Sequence, residues 1–237
     1  MNSKLKENKG TIIVIEGIDS SGKATQVKMV YEELIGEKYM AMRLEFPNYK
    51  SNSSALIKMY LNGDFGEDPK SVNPYGASLF FAADRFASFK SDWEKFYNEG
   101  GILILDRYVS SNMIYQAAKF EDKKEREEFL DWIYDLEFKK LNLPKPGIVI
   151  FLNMPPEYCQ KLNEKRLNKI DGSAKKDIHE RDIAYLEKTY EVAVYAAQKY
   201  KWSVVDCIEN NSIKSVKDIN GEILRIIENR LNGETKL

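Results

Sequence analysis

The sequence predicts an α/β domain, a parallel sheet of about five strands with helices on both faces and a lid over one end. Three observations lead there. An apolar, β-branched run from Thr11 to Glu16 breaks into a glycine-bracketed loop, Gly17-Ile18-Asp19-Ser20-Ser21-Gly22-Lys23-Ala24-Thr25. Uninterrupted apolar runs recur at Ile102 to Asp106, Gly147 to Leu152 and Ser203 to Cys207, the composition of parallel strands buried on both faces. Stretches of helical period separate these strands.

Taken in order, Met1 to Gly10 is a polar extension and Thr11 to Glu16 the first strand. Lys23 to Ile35 continues as a helix with Val27, Val30, Leu34 and Ile35 on one side. Tyr39 to Phe46 is a second strand, stopped by Pro47, which cannot donate to a ladder. A polar loop then leads to a short helix bearing Leu56, Ile57, Tyr60 and Leu61, ended by Asn62-Gly63-Asp64. A long helix is expected from Tyr75 to about Asn98, before Gly100-Gly101. Later helices follow from the periods at Phe129, Leu130, Ile133 and Leu136, at Ile183, Leu186, Tyr190, Ala193 and Ala197, and at Val216, Ile219, Ile223 and Ile227.

The 237 residues suit one domain, with 161–182 as a lid region. Lys and Arg total 36 against 37 Asp and Glu, so no global charge argues for nucleic acid or a membrane surface as partner. Two cysteines, Cys159 and Cys207, lack metal-ligand spacing and read as small buried apolar residues of a reducing compartment. With no signal-like or bilayer-length apolar stretch, the expected location is cytoplasmic.

Chemistry starts at the glycine loop. Gly17 and Gly22, with Lys23 directly after, have the spacing that curls successive backbone N–H groups around a polyphosphate at a helix N-terminus. The hydroxyl that usually follows the lysine is displaced, because Ala24 stands there and Thr25 comes next. Asp106-Arg107-Tyr108, at the mouth of a buried strand, offers an acid for a magnesium shell and a planar fork for phosphate, or else a structural ion pair. Asn112 and Tyr115 share a helix face one turn apart, either an ordinary helix surface or an amide and a phenol that read a base edge and pack on a sugar, and Phe81 and Arg85 share another, suited to stack on a base and reach its carbonyl. Most of Phe80, Phe86 and Phe89 are expected in the core. Lys161 to Arg181 carries seven basic and four acidic residues, either a solvated helix face or a lid that closes over phosphates. His179, the only histidine, points to nothing by itself.

These motifs together resemble thymidylate kinases of the bacterial type over most of the chain. The matching segments are Glu16 to Thr25, Phe46-Pro47-Asn48-Tyr49, Phe81-Ala82-Ala83-Asp84-Arg85, Asp106-Arg107-Tyr108 with Ser111-Asn112 and Tyr115, and Glu180-Arg181-Asp182. The resemblance implies a P-loop NTPase three-layer fold, usually homodimeric, that moves the γ-phosphoryl of ATP to dTMP with Mg²⁺. It implies ATP on Gly17 to Thr25. For dTMP it implies a site of Asp19, Phe46, Pro47, Tyr49, Phe81, Arg85, Arg107, Asn112, Tyr115 and Gln116. There Phe81 stacks on thymine, Arg85 and Asn112 bond its edge, Arg107 and Tyr49 hold the phosphate, and Tyr115 packs on the deoxyribose. Catalysis falls to Lys23, Asp19 and Arg107 with the lid cations Arg166 and Arg181, which stand in for the basic residue many relatives carry at the position of Ser20. The metal falls to Asp19, Glu180 and Asp106. A kinase acting on thymidine itself is disfavoured by the Arg107–Tyr49 clamp, and a catalytically silent nucleotide-binding protein by the intact Lys23 and Asp106.

Overall fold

The computed structural model describes residues 9–163, 179 and 182–232. In chain order its main elements are β1 (Thr11–Glu16), α1 (Lys23–Gly36), β2 (Ala41–Glu45), α2 (Ala55–Asn62), α3 (Pro74–Ser88), α4 (Glu94–Asn98), β3 (Ile102–Asp106), α5 (Val109–Tyr115), α6 (Lys123–Asp135), β4 (Ile148–Asn153), α7 (Pro156–Asn163), α8 (Ile183–Lys199), β5 (Ser203–Asp206), β6 (Ile208–Glu209), β7 (Ser212–Ile213) and α9 (Val216–Leu231).

The five long strands form one parallel sheet in the order β2-β3-β1-β4-β5, as expected from the apolar runs. Because strand side chains alternate between faces, neighbours in sequence enter different cores. Ile12, Val14, Leu103, Leu105 and Phe151 pack with Val109 and Met113 of α5, Phe129 and Ile133 of α6, and Val192 and Ala193 of α8. Ile13, Ile15, Ile104, Ile150 and Leu152 pack on the other face with Val27, Val30 and Leu34 of α1 and Ile219, Ile223 and Ile227 of α9. A third, smaller cluster of Ile57, Tyr60, Leu61 and Ala77 joins α2 to α3 above the carboxyl ends of the strands. Cys159 and Cys207 are free and buried, as their apolar reading requires, and burial pushes each thiol up to about 12.

Three features depart from expectation. The long helix over 75–98 is broken by a π-turn at Phe89–Trp93. The extra residue lets Trp93 bury completely against Phe89, their ring centroids 4.6 Å apart. Phe86 is exposed and Phe80 only partly buried, so of the three phenylalanines expected in the core Phe89 alone is fully there. A two-residue-per-strand hairpin, β6–β7, was absent from the sequence reading because strands that short show no alternation. Its signal is Asn210-Asn211, both in the left-handed region with φ of 48° and 58°, as a two-residue hairpin turn of this type demands.

Candidate active site

The loop between β1 and α1 adopts left-handed backbone at Ser20 (φ 64°) and Gly22 (φ 88°). Gly22 caps α1 with no side-chain hydrogen bond, leaving the first N–H groups of the helix to a ligand. A Cβ on Gly17 would meet Ser21 Oγ at 2.5 Å. Lys23 folds back over the loop and donates to the carbonyls of Gly17 at 2.8 Å and Ile18 at 2.7 Å. Burial, and next the Arg107 charge, bring its ammonium down to about 8, against the pull of Asp19, Asp106 and Glu16. A cleft of about 490 Å³ opens over Ser20 to Gln26 and Asp106, walled by Met154, Ile213, Lys214, Val216 and Ile219. Of that wall, Ile213 stands on β7, a strand too short to show a period, and the Asn210-Asn211 turn is its sequence signal.

Beside the cleft lies a smaller pocket lined by Asp19, Pro47, Tyr49, Leu61, Phe81, Arg107, Ser111, Asn112, Tyr115, Gln116 and His179. Arg107 sits at the turn from β3 into α5 with φ 69°, a strained conformation for a residue with a Cβ. It sends its guanidinium back to Asp19, at 2.5 Å, and over the Tyr115 ring, 5.0 Å from the centroid. The Tyr115 hydroxyl donates to the other oxygen of Asp19 at 2.8 Å. Under this group Glu16, fully buried, accepts from Gly17 N, Ser110 Oγ and Ser111 Oγ at 3.0, 2.7 and 2.8 Å. Asp84 pins the loop that carries Pro47 and Tyr49, accepting from Asn48 N at 2.8 Å and Ser53 Oγ at 2.5 Å. Neither Glu16 nor Asp84 stood out in the sequence as a support, because a lone buried carboxylate has no spacing signature.

Of the expected acceptor residues, Asp19, Pro47, Tyr49, Phe81, Arg107, Asn112, Tyr115 and Gln116 meet in this pocket. Phe46 packs in the core instead, its ring 6.0 Å from that of Tyr108. Arg85 is buried behind the pocket, in a bidentate pair with Glu137. His179, uninformative in the sequence, stacks on Tyr115 (5.5 Å, 17°) and shares a 2.8 Å hydrogen bond with the Tyr60 hydroxyl. Burial, then the charges of Lys119 and Arg107, push it down to about 3, so it stands neutral there. Arg166, Glu180 and Arg181 lie outside the described residues.

The metal donors fit a hard cation. Asp106 borders the phosphate loop cleft and Asp19 the neighbouring pocket, so carboxylate oxygens face the place where phosphates would meet. Ala24 adds no hydroxyl. Among the described residues no group of three or more potential metal ligands is gathered.

Comparison with known proteins places this geometry in a family. The family model for thymidylate kinase matches residues 15–219. The chain is 28% identical over 227 residues to a thymidylate kinase of Schizosaccharomyces pombe, covering 94% of each chain. It is 31% identical over 198 residues to one of Mycobacterium tuberculosis, covering 82% of this chain and 90% of the relative. A solved thymidylate kinase structure from Candida albicans superposes with a TM-score of 0.72 at 24% identity, covering 94% and 93%. Yeast and bacterial relatives match to similar degrees, so the family is established without separating a bacterial type.

Proposed function

The chain belongs to the thymidylate kinase family, and from that premise we propose that the cleft over Lys23 holds ATP and the pocket over Gln116 holds dTMP. As a member of that family the enzyme transfers the γ-phosphoryl of ATP to dTMP, giving dTDP and ADP.

One observation carries the acceptor assignment. Gln116 is fully buried and lines the pocket, and neither of its amide atoms has a hydrogen-bond partner among the described residues. Leaving such a group unpaired costs about 1–3 kcal/mol. The NH₂ of such an amide matches a carbonyl on the edge of thymine. Phe81, whose ring meets Tyr60 edge-on, supplies an apolar wall for the base. Tyr115 packs where the sugar would lie and leaves no partner for a 2′-hydroxyl. Arg107 and Tyr49 clamp the acceptor phosphate, which would take over the guanidinium that Asp19 now holds.

Phosphoryl transfer then needs alignment and charge neutralisation more than covalent help from the protein. The N-terminus of α1 and Lys23 cradle the donor phosphates. Asp19, Asp106 and Glu180 would hold a magnesium ion, whose chemistry there would be charge neutralisation of the phosphates. A lid cation, Arg166 or Arg181, completes the set and replaces a basic residue at Ser20. We also read the enzyme as homodimeric, supported by the exposed apolar residues Tyr75, Leu79 and Phe86 along α3. The bacterial-type and cytoplasmic readings rest on the motif set and on the two reduced, buried cysteines.

Gln116→Leu tests the acceptor site, since it keeps the volume and removes the amide. Loss of one base-reading group is expected to lower kcat/KM for dTMP about 10- to 100-fold. The KM for ATP should stay unchanged, and thermal stability should hold or rise because two unsatisfied atoms are gone. A KM for dTMP equal to that of the parent would remove this pocket as the acceptor site.

A further inference from the structure

Glu137 is fully buried, and α6 does not carry it in regular helix. The helix ends at Asp135 and a π-turn, Leu136–Lys140, projects the carboxylate under the acceptor pocket. Turns of this kind are rare and recur at functional sites. One oxygen of Glu137 accepts from Arg85 Nε at 2.7 Å. The other accepts from Arg85 Nη2 at 2.5 Å and from Asn112 Nδ2 at 3.4 Å. Asn112 Nδ2 also donates to the Ser78 carbonyl at 3.3 Å.

We propose that Glu137 is a positioning residue that sets base specificity by fixing which end of the Asn112 amide faces the pocket. The inference rests on the reading of this pocket as the acceptor site. A carboxylate and a backbone carbonyl are both acceptors, so only the NH₂ end of Asn112 can face them, and both of its hydrogens are used. What Asn112 has left is its carbonyl oxygen, an acceptor. That oxygen pairs with a ring N–H, as at N3 of thymine, and repels a ring nitrogen that bears a lone pair, as at N3 of cytosine.

Glu137 also sets how Arg85 presents itself. Of five N–H bonds, Arg85 spends two on Glu137 and one, from Nη1 at 3.4 Å, on the Tyr108 carbonyl. Two remain for a base carbonyl. With its charge balanced by Glu137, the guanidinium acts there as a hydrogen-bond donor and not as a bare cation, so it does not compete with Arg107 for the phosphate of the acceptor.

The test is Glu137→Leu, assayed with saturating ATP and magnesium on dTMP and on dCMP. Leucine keeps much of the volume and offers Asn112 no acceptor, so the Asn112 amide is free to turn over. The expected result is a fall of at least tenfold in the ratio of kcat/KM for dTMP to that for dCMP, with KM for ATP unchanged. A purely structural role would lower both acceptors together and leave the ratio alone, and that outcome overturns the proposal. Should the variant not fold, the parent enzyme crystallised with dTMP decides instead. Asn112 Oδ1 should lie within hydrogen-bond distance of N3 with Nδ2 on Glu137, and Nδ2 facing the base would contradict the inference. Parent enzyme that fails to act on dTMP would refute the acceptor reading itself, a result distinct from an unchanged ratio in the variant.

Discussion

Replacing Lys23 by Met is expected to cut kcat about 10²- to 10³-fold, the cost of removing one preorganised group that stabilises transferring charge. Methionine fills the same channel beneath the loop but cannot donate to the carbonyls of Gly17 and Ile18 or to a phosphate. The loss should fall on turnover while dTMP affinity survives, because Lys23 lines the cleft over the phosphate loop and not the pocket over Gln116. Stability distinguishes this from damage to the fold. The Lys23 ammonium is brought down by burial to about 8 from its ordinary value, so the unfolded chain binds the proton more tightly. Its burial therefore opposes folding at neutral pH, and the penalty fades as pH rises from about 8 toward the ordinary lysine range. The methionine variant should accordingly melt no lower than the parent at pH 7 while being nearly inactive. Near-normal ADP production by it would remove Lys23 from the chemistry.

Arg107→Ala should weaken dTMP about 10- to 150-fold, the equivalent of a charge-assisted hydrogen bond of about 1.5–3 kcal/mol, and ATP much less. The fold has reasons to tolerate the change. Glu16 keeps Gly17 N, Ser110 and Ser111, and Asp19 keeps the Tyr115 hydroxyl. Arg107→Lys should recover only part of the loss, since an ammonium lacks the planar fork that grips two phosphate oxygens. Equal weakening of both substrates in titrations would make Arg107 a structural or donor-side residue.

What the sequence disclosed follows from how local the signal is. The phosphate loop, the buried strands and the amphipathic helices are written in consecutive residues, through period and glycine spacing, and the sheet formed accordingly. The residues expected to bind the acceptor stand in short motifs, and eight of the ten line one pocket. Phe46 and Arg85 stand outside the lining of that pocket, one in the core and one paired with Glu137, because a motif names a residue without saying how its side chain turns. Glu16, Asp84 and Glu137 act through partners up to 95 positions away. No window of sequence contains such a pairing. The short β6–β7 wall of the ATP cleft was hidden for the opposite reason, being too local and too brief to show a period.

The central claim, that this chain phosphorylates a thymine deoxynucleotide on a pocket separate from its ATP cleft, meets its most direct test in one assay. ADP release from ATP and magnesium is measured with dTMP, its ribose counterpart, dCMP and thymidine as alternative acceptors. The account predicts that dTMP gives the highest kcat/KM, that the ribonucleotide and dCMP trail it by tenfold or more, on the order of one mismatched polar contact, and that thymidine, which offers nothing to Arg107, is inert. Activity on thymidine equal to that on dTMP, or no ADP above the rate without acceptor, would contradict it.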